Sequence, residues 1–434
     1  MTNAIPTNTE LASYDYIIAG AGGAGLSLLH YLMQSSVLAT KPILVIDKSF
    51  QKTNDRTWCF WNKDESVFEN LVKNRWDTIS IHAQGFDKEL STAPFSYKMI
   101  QGIDFYNSVL SKAKTKSNIH FQEATITSIS VLDSLSTSNA INANTENSSK
   151  NIISKQSINK SAKVEWEGGS AIGNYVFSSL LPFQMNQLNT AAAYSNSLKL
   201  GTSSNNKAPF LWQHFKGRVV KFETAVFNKA IAKLMDFNVP QQGATAFMYQ
   251  LPLNDKEALV EYTIFSENVL ATSEYDKVLD NYLAKAFPGA SYTITHDEIG
   301  AIPMTQIELA TTQAPIYTIG ALGAAIKAST GYAFQFIQEQ CKNIVTQLEK
   351  GLPIQTKIHN TRHQFYDAVL LHVLFYHKME GAEIFKRIFA KNEAATVFKF
   401  LSNTSSILED IQIMRSLPTR IFLPAAIKVL LRRA

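Results

Sequence analysis

Asp15-Tyr16-Ile17-Ile18-Ala19-Gly20-Ala21-Gly22-Gly23-Ala24-Gly25 decides how the chain is read. Asp15 to Ala19 is a short, largely apolar run bounded by glycine, the pattern of a buried strand. Leu28, Leu29, Leu32 and Met33 then recur at helical spacing, and Pro42 to Ile46 is a second buried strand closed by Asp47. Strand, G-x-G-x-x-G, helix, strand, acid is the dinucleotide-binding fingerprint in the context it needs. Gly20 permits the tight turn, Gly22 lets backbone approach a pyrophosphate, and Gly25 lets the helix pack closely on the sheet. The helix N-terminus offers free N–H groups and a positive dipole end to that pyrophosphate. Asp47 stands where it can accept from ribose hydroxyls, which argues against a 2′-phosphate at this site. The competing reading is a glycine-rich turn in a fold without nucleotide.

Directly after the second strand comes Asn54-Asp55-Arg56-Thr57-Trp58-Cys59-Phe60-Trp61. Arg56 can neutralise a cofactor phosphate, and Trp58 and Trp61 can line a cavity for an apolar or cationic group. A packed corner with a structural Asp55–Arg56 contact fits the spacing equally well. With 434 residues, 45% hydrophobic and 18% charged, the chain can bury the cores of two or three domains. A net charge of +5 suits simple solubility or an anionic membrane surface and does not indicate nucleic acid. Cys59 and Cys341 alone make neither a disulfide framework nor a metal cluster, so a reducing compartment is expected. The first ten residues lack the basic start and apolar core of a signal peptide. No apolar run reaches the ~18 residues that a membrane-spanning helix needs.

The Asn54–Trp61 block, set shortly after Ile46-Asp47-Lys48, resembles the N-terminal signature of bacterial lycopene cyclases, flavoproteins of carotenoid biosynthesis. Further blocks resemble the same family in its order along the chain. Leu211-Trp212-Gln213-His214-Phe215-Lys216-Gly217 is followed by Leu234-Met235-Asp236-Phe237, then by Leu259-Val260-Glu261-Tyr262-Thr263, then by Glu298-Ile299-Gly300-Ala301-Ile302-Pro303-Met304-Thr305. Ile316 to Gly320 reads as a strand leading into Ala321–Phe334, similar to the second flavin-contacting segment of such enzymes. There the resemblance implies cofactor contacts from Gly320, Gly323, Lys327, Ser329, Thr330 and Gly331. Ala324-Ala325 and Ala328 depart from the glycine and proline usual in the family; alanine still fits there if its φ stays negative.

The resemblance assigns the family's catalytic glutamate to Glu261. On spacing alone, Leu259, Glu261, Thr263 and Phe265 share one strand face, and Glu261 would as readily face solvent. Asp236 lies in an apolar setting and reads either as a pKa-shifted acid or base or as a turn residue. His214 reads as a structural histidine or, with the tryptophans, as a substrate contact.

The expected fold is α/β. A Rossmann-like FAD-binding domain (residues 1–75, 101–185 and 300–350) is interrupted by a sheet-containing substrate domain (76–100 and 186–299) and followed by a helical region (351–434). Residues 132–163, rich in Ser, Asn and Lys, read as a surface insertion. The C-terminal stretch from Arg420 is apolar and basic, suited to lying on an anionic lipid surface or to docking as an ordinary helix. The resemblance implies acid-catalysed, non-redox cyclisation of lycopene, by way of γ-carotene, to β-carotene. It implies reduced FAD, with NAD(P)H as reductant, and a peripheral place on the cytoplasmic face of the membrane. An FAD-dependent isoprenoid reductase or monooxygenase, a non-catalytic isoprenoid-binding protein and an ε-type cyclase stay open as alternatives.

Overall fold

The computed structural model describes residues 11–132, 160–180, 209–306, 312–358 and 360–433. The 132–163 insertion lies almost wholly outside these residues, as does the stretch 186–208 of the expected substrate domain. Leu132 and Ser161, which flank the insertion, are paired neighbours on adjacent antiparallel strands.

The fingerprint folds as β1 (Ala12–Ala19), α1 (Gly23–Gln34) and β2 (Ile43–Asp47). Both strands are buried on their two faces, which is why they read as continuous apolar runs rather than alternating ones. A three-stranded sheet follows, made of β3 (Thr57–Asn62), β4 (Val72–Trp76) and β7 (Ser96–Gln101). Between β4 and β7 run β5 (Thr78–Ala83) and β6 (Phe86–Ser91), which belong to a different sheet. The chain then returns through α2 (Gly102–Ala113), β8 (Ile119–Glu123), β9 (Ile126–Leu132), β10 (Ser161–Trp166) and β11 (Gly169–Ser178).

The cofactor-type sheet has the order β8-β2-β1-β11-β10-β9, with β17 (Ile316–Thr318) alongside the far end of β11. β8, β2, β1, β11 and β17 pair in parallel, and β9 and β10 add antiparallel edges. Leu26, Leu28, Leu29 and Leu32 of α1 pack in one core with α2 and with Ile337, Cys341, Ile344 and Val345 of the late helix α4 (Phe334–Glu349). Each such fully buried aliphatic side chain contributes about 1.5–3 kcal/mol.

The second large sheet runs β16-β12-β15-β14-β13-β5-β6, built from β12 (Phe210–Phe222), β13 (Ile231–Asp236), β14 (Thr245–Pro252), β15 (Glu257–Ser266) and β16 (Tyr292–Thr305). Its strands pair antiparallel except β5 with β13. One face is covered by α3 (Thr272–Ala286), whose Tyr275, Val278, Leu279 and Leu283 meet Val260, Tyr262 and Ile264. The other face packs its apolar side chains with α5 (Thr361–Phe375), α6 (Gly381–Lys391) and α7 (Ala394–Leu401), and it also turns toward the cofactor-type sheet. α8 (Ile407–Arg415) and α9 (Thr419–Arg433) close the chain. No described helix is long and apolar enough to cross a membrane.

Candidate active site

A cleft of about 600 Å³ runs from the glycine loop of the first sheet to the inner face of the second. Gly22, Gly23, Asp47, Lys52, Arg56 and Trp58 line one end, and Phe247, Leu259, Glu261, Phe265, Glu298 and Ile302 line the other. Gly320, Thr330, Gly331 and Tyr332 border it from the loop that precedes α4.

At the glycine end the local geometry leaves no room for larger residues. A Cβ on Gly25 would stand 1.9 Å from the Gly20 carbonyl oxygen, so only glycine lets α1 start this close to the turn. Gly20 itself has φ +101°, in the left-handed region that favours glycine. Beside Gly22, by contrast, a Cβ would meet nothing within 4 Å: the missing side chain opens onto the cleft. Asp47 accepts from the Ala21 N–H at 2.5 Å and from Ser49 N–H at 3.1 Å, and pairs with Lys52 at 3.1 Å, which fixes its carboxylate at the cleft wall. The Arg56 side chain is half-exposed and paired with Asp55 at 3.2 Å. Two polar atoms on the wall, Thr330 Oγ1 and Gln213 Oε1, are buried without a partner among the described residues. A glycine cradle open to solvent, an acid at the end of the second strand and unpaired polar atoms together fit a dinucleotide cofactor.

At the other end stands a pair of carboxyls. β12 lies between β15 and β16, and Gly217 sits opposite Glu261 on one side and Glu298 on the other. Because Gly217 has no side chain, the two acids lean over it and hydrogen bond to each other. Thr263 Oγ1 donates to Glu261 Oε1 at 2.7 Å, and Thr57 Oγ1 donates to Glu298 Oε2 at 2.8 Å. Burial, reinforced by the charge of Glu298, pushes the Glu261 carboxyl up to about 8. Burial also raises Glu298, opposed by the Thr57 hydroxyl and by the hydrogen bond from Glu261. Two buried carboxyls this close favour sharing one proton, and the charge of its neighbour pushes Glu261 upward. Around them, Phe215, Leu234, Met235, Phe247, Leu259 and Phe265 make the wall apolar. Tyr249, directly opposite Glu261 on β14, hydrogen bonds Tyr97, which also reaches Tyr332 at 3.5 Å.

Several residues singled out from the sequence stand off the cleft. Trp61 is 2% exposed, stacks on Phe398 and donates from Nε1 to the Phe398 carbonyl at 3.1 Å and Ser402 Oγ at 2.8 Å. It anchors the helical region, while Trp58 alone reaches the cleft, over Gly23. His214 alternates to the opposite face of β12, where it bonds Tyr275 OH at 2.5 Å and Ser266 Oγ at 2.7 Å, and burial lowers it to about 4. It is a neutral structural histidine rather than a substrate contact. Asp236 accepts from Tyr282 OH, Lys233 Nζ and the Asn238 N–H, the turn role of its two readings. Lys327 is wholly buried, bonded to Asp367 at 2.8 Å and Asn403 at 2.7 Å, and Ser329 donates to the same Asp367. Both tie the loop to α5, and Lys327 also to the turn after α7, instead of facing the cofactor cradle. Gly323 shapes the same loop, since a Cβ there would meet the Thr318 carbonyl at 2.3 Å. Ala324 adopts φ +59°, left-handed, so the condition under which alanine fits there without strain is not met. The residue that spacing alone missed is Glu298. It lay in a quoted motif, but only the pairing of β12 with both neighbours brings it to Glu261.

Over its whole length the fold is that of flavin-dependent enzymes. The chain aligns with a geranylgeranyl bacteriochlorophyll reductase-like protein from Thermoplasma acidophilum at TM-score 0.53 and 12% identity, covering 98% of this chain and 100% of the other. It aligns with a triple mutant of the flavin-dependent brominase Bmp2 at TM-score 0.52 and 11% identity, covering 92% and 97%. The sequence profile described as lycopene cyclase protein matches residues 15–166 and 190–426, and the chain belongs to that family. No curated protein matches it significantly.

Proposed function

We propose that this protein is a lycopene β-cyclase that closes the linear ends of lycopene by acid catalysis without net redox change. The observation that carries the proposal is a buried carboxyl, Glu261, paired with a second acid on the apolar wall of a cleft that begins at a dinucleotide cradle. A terminal isoprenoid double bond needs a proton donor that keeps its proton at neutral pH, and burial of Glu261 supplies one. The cation so formed is attacked by the neighbouring alkene, a six-membered ring closes, and loss of another proton sets the ring double bond. FAD, in its reduced form and reduced by NAD(P)H, would be held by Gly22, Asp47, Arg56, Gly320, Thr330 and Gly331, and supplies negative charge that stabilises the cation. Phe215, Phe247 and Tyr249 offer ring faces and exclude water.

An apolar substrate of this length resides in the bilayer, and the last helices suit a peripheral attachment. α9 packs on the protein through Ala425 and Val429 and turns Leu423, Ile427, Leu430 and Leu431 outward, with Arg420 and Lys428 exposed beside them. Such a face lies in the headgroup region of an anionic membrane. The test is carotenoid analysis of lycopene-accumulating cells expressing the wild type or Glu261→Gln. β-Carotene from the wild type and unchanged lycopene from a folded, flavin-containing variant support the reading. Unchanged lycopene with the wild type, or stoichiometric consumption of NAD(P)H without ring formation, refutes it.

A further inference from the structure

The cyclisation needs a proton to enter at the chain end and a different proton to leave from the ring. Glu261 accounts for the first. The cleft holds a second acid in contact with it, and the pair is built rather than accidental. Glu298 is 4% exposed, and a buried carboxyl is kept only where partners compensate its desolvation. Its partners are the Thr57 hydroxyl at 2.8 Å and the Glu261 carboxyl itself. Strands β15 and β16 are separated by the whole of β12, so their backbones stand about 10 Å apart. The two side chains meet only because position 217 is glycine. A Cβ there would come within 3.1 Å of Glu298 Cγ and 3.4 Å of Glu261 Cβ. The titratable groups nearest the pair are Cys59, Tyr249 and Tyr332 on the cleft wall, with Arg56 and His296 toward Glu298. Burial raises Cys59, Tyr249 and Tyr332, so all three stay neutral.

Resting on the cyclase reading, we infer that Glu298 is the base that takes the proton lost from the new ring, while Glu261 donates the proton gained by the chain end. The Glu261 O–H bond breaks as a C–H bond forms at the terminal alkene. The neighbouring alkene's π electrons make the ring C–C bond. A ring C–H bond then breaks, its electrons become the ring double bond, and its proton goes to the Glu298 carboxylate. Transfer across the hydrogen bond over Gly217 returns that proton to Glu261, and no electrons are gained or lost overall. The placement of Glu298 then decides which ring proton leaves, and hence where the ring double bond lies.

The deciding experiment uses purified flavoprotein with reduced flavin and lycopene in phosphatidylglycerol-containing vesicles. Wild type, Glu298→Gln and Glu298→Asp are compared by product analysis across pH. Glu298→Gln is expected to lower β-ring formation at least ~100-fold. Rings that still form should carry the double bond elsewhere in the ring or exocyclic to it, a change that a merely structural role would not produce. Its acid limb, which reports ionisation of Glu298 in the wild type, should vanish. Glu298→Asp should keep the β-product at a reduced rate. Wild-type rate and product from Glu298→Gln overturn the inference. If that variant does not retain flavin, Glu298→Asp decides alone: an unchanged rate with the carboxyl withdrawn by one methylene overturns it equally. A wild type that forms no rings refutes the cyclase reading instead, so the two failures are distinguishable.

Discussion

Gly217→Ala probes the contact between the two acids without removing either. The added methyl would stand 3.0 Å from Leu259 Cδ1, 3.1 Å from Glu298 Cγ and 3.4 Å from Glu261 Cβ. All three neighbours are side-chain atoms, so they yield by a few tenths of an ångström. Overpacking of this kind costs about 1–2 kcal/mol. Replacing glycine inside a strand returns roughly 0.5–1 kcal/mol, and the net loss of stability is about 1.5 kcal/mol or less. For a chain of this size that lowers Tm by only about 1–2 °C. Catalysis is more sensitive: a displacement of a reacting group by about 1 Å costs on the order of 100-fold, so a shift of a few tenths of an ångström costs about 3–5-fold. Gly217→Ala should therefore retain flavin, melt close to the wild type and cyclise ~3–5-fold more slowly. Separating the acids also weakens the like charge acting on Glu261, so the alkaline limb of the rate profile should move to lower pH. The assay is ring formation in vesicles followed across pH, with thermal melting alongside. Wild-type turnover in Gly217→Ala would refute the argument that the carboxyls must touch. A melt lowered by more than ~10 °C would show that Gly217 serves packing instead.

The remaining predictions follow from single features. Glu261 must be protonated to donate and is held up to about 8, so the wild-type rate should be flat near neutrality and fall as pH rises through that value, ~10-fold per unit beyond it. Gly25→Ala forces a methyl against the Gly20 carbonyl at 1.9 Å, so purified protein should lose bound flavin absorbance and several kcal/mol of stability, on the order of 3 or more. Ala324 holds φ +59° on an exposed turn, so Ala324→Gly should raise stability by about 1 kcal/mol in denaturant melts with turnover unchanged. His214 is buried neutral and lowered to about 4, so the unfolded chain binds more protons at acid pH. Its contribution is complete above about 6.5 and is lost progressively toward pH 4; His214→Phe should flatten that part of a Tm-against-pH curve.

The cofactor end of the cleft was legible from the chain because its constraints are local. Gly20, Gly22, Gly25 and Asp47 lie within one strand–helix–strand unit, and each acts through backbone geometry that residue type alone dictates. The face shared by Leu259, Glu261, Thr263 and Phe265 was legible for the same reason, since strand alternation fixes it. Alternation could not say which face was the cleft, and so it could not choose between the two readings of His214. Neighbouring Gln213 and Phe215 face the cleft, while His214 points to α3. The places of Trp61 and Lys327 were not legible because their partners, Phe398 and Asp367, lie on helices far along the chain. Glu298 needed a three-strand register, which depends on pairing between segments about 80 and 40 residues apart.

The arrangement of the first sheet also governs how the protein is made. β1 is made well before its inner partner β11, which is completed only at Ser178, and β11 in turn waits for β17 at Ile316–Thr318. Until then β1 presents an unpaired parallel edge, and the leucines of α1 lack the late helix α4 that covers them. Parallel pairing across such separations closes slowly, and exposed edges of this kind invite association with other chains. At ~5–20 residues per second, the nascent chain spends tens of seconds in that condition. The dinucleotide cradle is therefore completed long after its own residues are made, and a flavin can add its full binding energy to the fold only once the helix Phe334–Glu349 has followed it.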